Sequence, residues 1–405
     1  MKKTLLTICL TWMCFSLSAQ KIIDLSGKWS FSIDRQDNGE KEKWFSHTLN
    51  DCINLPGSMP EKLKGDEVTA KTQWTGSLYD SSYYYNPYME KYRKEGNIKF
   101  PFFLTPDKHY VGAAWYQKEV NIPADWKGER ILLFLERPHI ETTVWVNGQK
   151  TGMQNSLCVP HQYDITRYVR PGKCTITIRV DNRIKEINVG PDSHSITDQT
   201  QGNWNGIVGR ICLQTTPKTY FDDIQIYPEP EQKLARVKVV IKGAGITKIK
   251  LSAESFNTDK KHIVPAIQQE IKLNKGVTET EMVLPMGNDM LLWDEFHPAL
   301  YKLKAEVTNG KKTEIKEIQF GMRRFEIKGK WFYVNGRKTQ LRGTVENCDF
   351  PLTGYAPMDV ESWERVFRIC RSYGLNHMRF HSFCPPEAAF IAADRVGFYL
   401  QPEGP

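Results

Sequence analysis

Hydrophobic positions recur with period two through most of the chain. Leu25-Ser26-Gly27-Lys28-Trp29-Ser30-Phe31-Ser32-Ile33 alternates apolar and polar residues, and Thr175 to Val180 alternates again directly after Pro171-Gly172. Thr142 to Lys150 reads as a strand running into Asn147-Gly148, the strongest short hairpin signal. Strands at this spacing, punctuated by Gly and Pro, predict a jelly-roll-like β-sandwich over residues 20–220. Ser77 to Pro101 interrupts it with Tyr79, Tyr83, Tyr84, Tyr85, Tyr88 and Tyr92, and reads as a long surface loop rather than core. Residues 221–325 keep the same period in Arg236 to Ile241, Thr247 to Leu251 and Tyr301 to Val307. A length of about 100 residues in short strands predicts an immunoglobulin-like sandwich.

The pattern changes after the hairpin Trp331 to Lys338. A strand is predicted at Gln340–Glu346 and a helix from Asp359 to Tyr373, with Asp359 as N-cap, Val360, Trp363, Phe367 and Cys370 as buried stripe, and Gly374 as C-terminal cap. A strand at Leu375–His381, a helix opened by Pro385-Pro386 and running to Arg395, and a strand at Phe398–Glu403 complete a βαβαβ series. Such a series implies parallel strands, in a barrel or a doubly wound sheet.

Side chains alternate faces along a strand, so each of the three divides in two. Arg342, Thr344 and Glu346 oppose Leu341, Gly343 and Val345. His377, Arg379 and His381 oppose Met378 and Phe380. Tyr399, Gln401 and Glu403 oppose Phe398 and Leu400. A parallel strand covered on both sides is nearly all apolar, so these polar sets call for ion pairing or a wet cavity. A polar pocket at the strand ends is the functional reading, and a structural ion-pair network is the bland one. Trp204 and Asn205 are expected to pack the turn into the last strand of the first sandwich.

Composition narrows the field without changing this layout. Of 405 residues, 40% are hydrophobic and 25% charged, as in ordinary globular proteins. A net charge of +8 over this length is too thin for a nucleic-acid binder. There is no P-loop, no Rossmann glycine fingerprint and no CxxC pair, and nothing calls for a cofactor. His377, His381, Cys384 and Cys348 share no ligand spacing, so no metal is assigned. Met1-Lys2-Lys3, an apolar run from Thr4 to Phe15, and Leu17-Ser18-Ala19 before Gln20 form the pattern of a secretory leader, residues 1–19. The mature protein is expected to be exported, with no membrane span. Seven irregularly spaced cysteines then remain, which argues against a disulfide framework.

In order and spacing, several short motifs resemble glycoside hydrolase family 2, which includes β-galactosidases, β-glucuronidases and β-mannosidases. The first domain supplies Ala114-Trp115-Tyr116, Val146-Asn147-Gly148, Tyr163-Asp164-Ile165-Thr166 and Gly202-Asn203-Trp204-Asn205-Gly206-Ile207-Val208-Gly209. The second supplies Trp293 and Pro298-Ala299-Leu300-Tyr301. Phe320-Gly321-Met322-Arg323, Val334-Asn335-Gly336, Leu341-Arg342-Gly343 and Met378-Arg379 follow. The resemblance implies two sandwiches leading into a (β/α)8 barrel, here residues 326–405, and retaining hydrolysis of β-glycosides by two glutamates about 5–5.5 Å apart. In the family the acid/base belongs to an Asn-Glu pair after the fourth barrel strand. This chain has no Asn-Glu dipeptide and reaches Pro405 after its third strand, so no catalytic residue is assigned and the chain reads as the N-terminal portion. Carried over by position, Glu346, Asn347, Arg379, His381 and Glu403 are candidate contacts to a carbohydrate, with galactosides the first guess. The family usually follows the arginine with Ser-His-aromatic-Pro, where this chain has Phe380 to Pro385. The alternative is a non-catalytic carbohydrate-binding or scaffold protein.

Overall fold

The computed structural model of the protein describes residues 20–75, 81–99, 106–185, 193, 195–197 and 202–404. The leader read in residues 1–19 and both ends of the Tyr-rich insert lie outside the described residues. Three large apolar clusters organise what is described, each under its own sheets.

The first is a two-layer sandwich. One sheet runs, in spatial order, Gln149–Asn155, Glu141–Val146, Gly172–Asp181, Ala113–Ile122, Gly27–Asp34 and Asp51–Leu55. The other runs Ile22–Asp24, Gly206–Thr216, Arg130–His139 and His161–Asp164. Alternate residues from both, including Trp29, Phe31, Tyr116, Ile176, Leu133, Leu135 and Leu213, fill the space between. The expected hairpin forms: Val146 pairs with Gln149, and Asn147 and Gly148 both take positive φ (50° and 76°), which the short turn requires. Trp204 and Asn205 pack as expected. Trp204 stacks on His139 at 4.5 Å, and the Asn205 amide donates to Gly112 O and Val180 O while its oxygen accepts from the Tyr116 hydroxyl. The Tyr-rich insert departs from a pure surface loop. Ser82–Tyr85 is a turn of helix and Pro87–Tyr92 a 3₁₀ helix, with Tyr83 buried against Trp74 and Tyr84 while Tyr85 and Tyr88 stay exposed. An edge-on aromatic cluster removes Tyr83 from water at low entropic cost.

The second unit is built on an unusually long hairpin. Leu234–Phe256 pairs with Ile263–Pro285 along its length, but the register shifts between Gly243 and Gly245, opposite Gly276. All three glycines have positive φ, so the hairpin can bend there. Beyond the bend Leu300–Asn309 and Lys312–Phe320 add on, and before it Tyr220–Glu229 does. The inward-facing Val237, Val239, Ile241, Ile249, Leu251, Leu303 and Ala305 share one core.

A meander of Phe325–Lys328, Trp331–Val334 and Arg337–Thr339 leads into the third unit. There Gly343–Glu346, His377–Phe380 and Tyr399–Pro402 pair in parallel, linked by the helices Val360–Ser372 and Glu387–Val396. The long helix begins and ends as predicted. Asp359 Oδ1 accepts from Ser362 N at 2.7 Å, and Gly374 at φ 80° closes the other end with Leu375 N bonding Cys370 O. Trp363, Phe367, Phe380, Phe398 and the alanine face of the second helix form the core.

Candidate functional site

The register of the parallel strands decides which polar side chains meet. Gly343 aligns with His377 and Tyr399, and Val345 with Arg379 and Gln401, so these share the face away from the helices. Thr344 aligns with Met378 and Leu400, and Glu346 with Phe380, which packs edge-on against Trp363 on the helix side. The expectation of one polar face drawn from all three strands is therefore corrected for the first. Its polar positions are out of phase by one residue, because alignment across a sheet, not polarity, determines facing. Glu346 instead accepts Cys348 N at 2.8 Å, and burial raises its carboxyl above the usual range. Asn347 is exposed just past the strand end.

At the carboxyl ends of the second and third strands, Arg379 Nε donates to Glu403 Oε1 at 2.5 Å, and Glu403 Oε2 accepts Ser382 N at 2.9 Å. The Arg379 bond, then the Ser382 amide, hold the Glu403 carboxyl below its ordinary range, and the charge of His381 acts in the same direction. Arg379, His381 and Glu403 are thus brought together, with Glu346 behind the sheet. Both Arg379 and Glu403 remain partly open to solvent. Such a fixed pair offers unused N–H donors and carboxylate acceptors to a ligand rich in hydroxyl groups. The amino-terminal half of the same face closes instead over a cavity of about 480 Å³, lined by His377, Tyr399, Phe325, Phe332, Arg323 and Trp293.

Three residues that build this site carried no readable signal. The Ser195 hydroxyl, from the first sandwich, donates to Ser382 O and so touches the loop that holds Glu403. Ser382 adopts φ 59°, unusual for a residue other than glycine, which turns its amide toward the carboxylate. Asn376, buried beneath the strands, donates to Glu295 Oε2 at 2.7 Å and Gln340 O at 3.1 Å and accepts from Arg342 N at 2.7 Å. It ties the second sandwich to two parallel strands. A larger cavity lies elsewhere. About 970 Å³, it separates the first sandwich from the loop Phe350–Met358 and the helix Glu387–Val396, and its Arg210 is already engaged by Glu136 and Glu387. Among the described residues, no helix is long and apolar enough to cross a membrane.

Two sandwiches leading into a parallel α/β sheet with ionisable strand ends make a modular chain of the glycoside hydrolase kind. Residues 22–217 match the glycosyl hydrolases family 2 sugar binding domain, and residues 219–323 match a second glycosyl hydrolases family 2 domain. The chain belongs to glycosyl hydrolases family 2. It is 23% identical to a human β-glucuronidase over 420 residues, covering 94% of this chain and 57% of that protein. To a β-galactosidase of Thermoanaerobacter pseudethanolicus it is 24% identical over 328 residues, 76% of this chain and 42% of the other. A family 2 member from Bacteroides cellulosilyticus superposes with a TM-score of 0.68 at 19% identity, over 95% of this chain and 47% of that one, a likeness of fold. The chain spans about half the length of the relatives it matches.

Proposed function

We propose that this chain is the amino-terminal portion of an exported β-glycosidase, with its parallel unit the start of a (β/α)8 barrel. The substrate class is β-linked oligosaccharides. The observation carrying the reading is the Arg379–Glu403 pair at the strand ends, braced by Ser382 and flanked by His381. Barrel enzymes bind substrate at that end of their strands. Arg379 and Glu403 would hold hydroxyl groups of the terminal sugar, and Ser195 would set the height of the loop beneath it. No residue of the chain is assigned as nucleophile or general acid. Relatives named β-galactosidase and β-glucuronidase make galactosides and glucuronides the first two substrates to assay.

The test uses protein expressed from the complete reading frame and chromogenic β-galactoside and β-glucuronide. Hydrolysis of one of them, with kcat/KM reduced more than about a hundredfold in Arg379→Ala, supports the reading. Failure to hydrolyse either, with sugar binding retained, would move the protein to the carbohydrate-binding alternative. An Arg379→Ala variant as active as the parent would remove these strand ends from the site.

A further inference from the structure

Two residues of the first sandwich hold the loop that carries the Ser382 amide. The Ser195 hydroxyl donates to Ser382 O, and Arg137 Nη2 donates to Cys384 O at 2.5 Å. Between them Phe383 O accepts Glu403 N at 3.3 Å, so three successive carbonyls of the loop are each taken by a donor from another segment. The Phe383 ring is buried edge-on against Phe380, which leaves the backbone on either side of it to be placed by Ser195 and Arg137. Arg137 sits on the strand Arg130–His139, 247 positions before Cys384, and its Nε also donates to Leu157 O at 3.4 Å. The rigid guanidinium fork joins two backbones in one geometry, which a lysine ammonium on its flexible stem does not. Among the described residues, both hydrogen bonds of this half-buried side chain end on carbonyls rather than on a carboxylate. A guanidinium drawn partly out of water without a counter-charge is costly. Stability is therefore a poor account of an arginine here, and the placing of the loop is a better one.

We infer that Arg137 is a positioning residue for Glu403: with Ser195 it fixes the loop so that the Ser382 amide meets the Glu403 carboxylate. The inference rests on the reading of Arg379 and Glu403 as contacts to a sugar. The chain of contacts is short. Ser382 N lies 2.9 Å from Glu403 Oε2, and the other carboxylate oxygen takes Arg379 Nε at 2.5 Å. Without the hold on Cys384 O, the loop can turn about Ser382, whose φ of 59° a residue other than glycine rarely adopts unaided. Glu403 then loses its amide donor, and the carboxylate swings with Arg379. The first sandwich thus belongs to the sugar site by acting through the loop, without touching the ligand at Arg137.

The experiment compares Arg137→Ala, Arg137→Lys, Ser195→Ala and Arg210→Ala in protein from the complete reading frame. Arg210 also joins the first sandwich to the parallel unit, through Glu387 and away from the loop, so it reports a merely structural joint. Hydrogen–deuterium exchange of the peptide spanning residues 381–384 should quicken about tenfold in Arg137→Ala, the scale of one lost hydrogen bond. Arg137→Lys should fall between that variant and the parent, and Arg210→Ala should match the parent. For whichever chromogenic substrate is hydrolysed, β-galactoside or β-glucuronide, KM should rise about tenfold in Arg137→Ala with kcat within about twofold, the split left by lost uniform binding. Unchanged exchange in both Arg137→Ala and Ser195→Ala, or an equal change in Arg210→Ala, would overturn the proposal. Activity kept in Arg137→Ala but lost in Arg379→Ala would overturn it and leave the strand-end reading standing. If neither glycoside is hydrolysed, the strand-end reading fails, and the exchange result still decides whether Arg137 places the Ser382 amide.

Discussion

Replacing Asn376 with alanine should loosen the parallel unit far more than removing the neighbouring charge. Asn376 is 1% exposed, and its amide makes three hydrogen bonds, to Glu295 Oε2, Gln340 O and Arg342 N. Truncation removes all three bonds, and a buried group left unsatisfied costs about 1–3 kcal/mol. Gln340 and Arg342 are reachable by water, so the cost lies near the lower end for those two, and about 3 kcal/mol in total is the expected loss. Glu295 stays paired with Arg342, though at 3.3 Å and with an arginine side chain half in solvent. That pair is worth about 0–1 kcal/mol, so Arg342→Ala should change little. Asn376→Asp should be worse than alanine, because it sets a second carboxylate against Glu295. The assay is hydrogen–deuterium exchange of peptides covering residues 360–402. At about 1.4 kcal/mol per tenfold, exchange in Asn376→Ala should rise by about a hundredfold while peptides of the first sandwich stay unchanged. Equal effects from Asn376→Ala and Arg342→Ala would refute the argument, since charge pairing and not amide satisfaction would then hold the joint.

The remaining predictions concern the two cores and the buried histidines. His139 and His161 are held by burial down to about 3 and about 4. Both titrate near 6.5 when unfolded, so below that pH the unfolded chain binds more protons. Stability should fall by about 1.4 kcal/mol per pH unit per histidine as pH drops from 6.5 toward 4, and His139→Gln and His161→Gln should each flatten that slope in denaturant titrations. Gly206→Ala should destabilise the first sandwich by about 2 kcal/mol or more, because φ is 149° and a Cβ would lie 2.4 Å from the Gly57 carbonyl oxygen. Urea unfolding followed by tryptophan fluorescence would measure it. Trp363→Ala removes a side chain packed on Phe367 and Phe380 and bonded to Pro357 O, and should cost the parallel unit about 3–5 kcal/mol, read by protease sensitivity of its helices.

Local chemistry made much of this protein legible in its sequence. The Asn147-Gly148 turn, the Asp359 cap, the Gly374 stop and the Val360–Cys370 stripe each act within a few residues, so periodicity and turn residues suffice to place them. Alternation likewise identified the strands of both sandwiches, and Arg379 and Glu403 stood out as charges where a covered parallel strand should be apolar. What the sequence could not say was which strands align. A shift of one residue carries Glu346 from the open face to the helix side, and only pairing with His377–Phe380 decides it. Nor could it reveal that Ser195 reaches Ser382 or that Asn376 meets Glu295 across 81 positions. Those contacts join residues far apart in the chain. Period and propensity describe a residue's own neighbourhood, whereas long-range partners follow from how whole sheets pack once their apolar faces leave water.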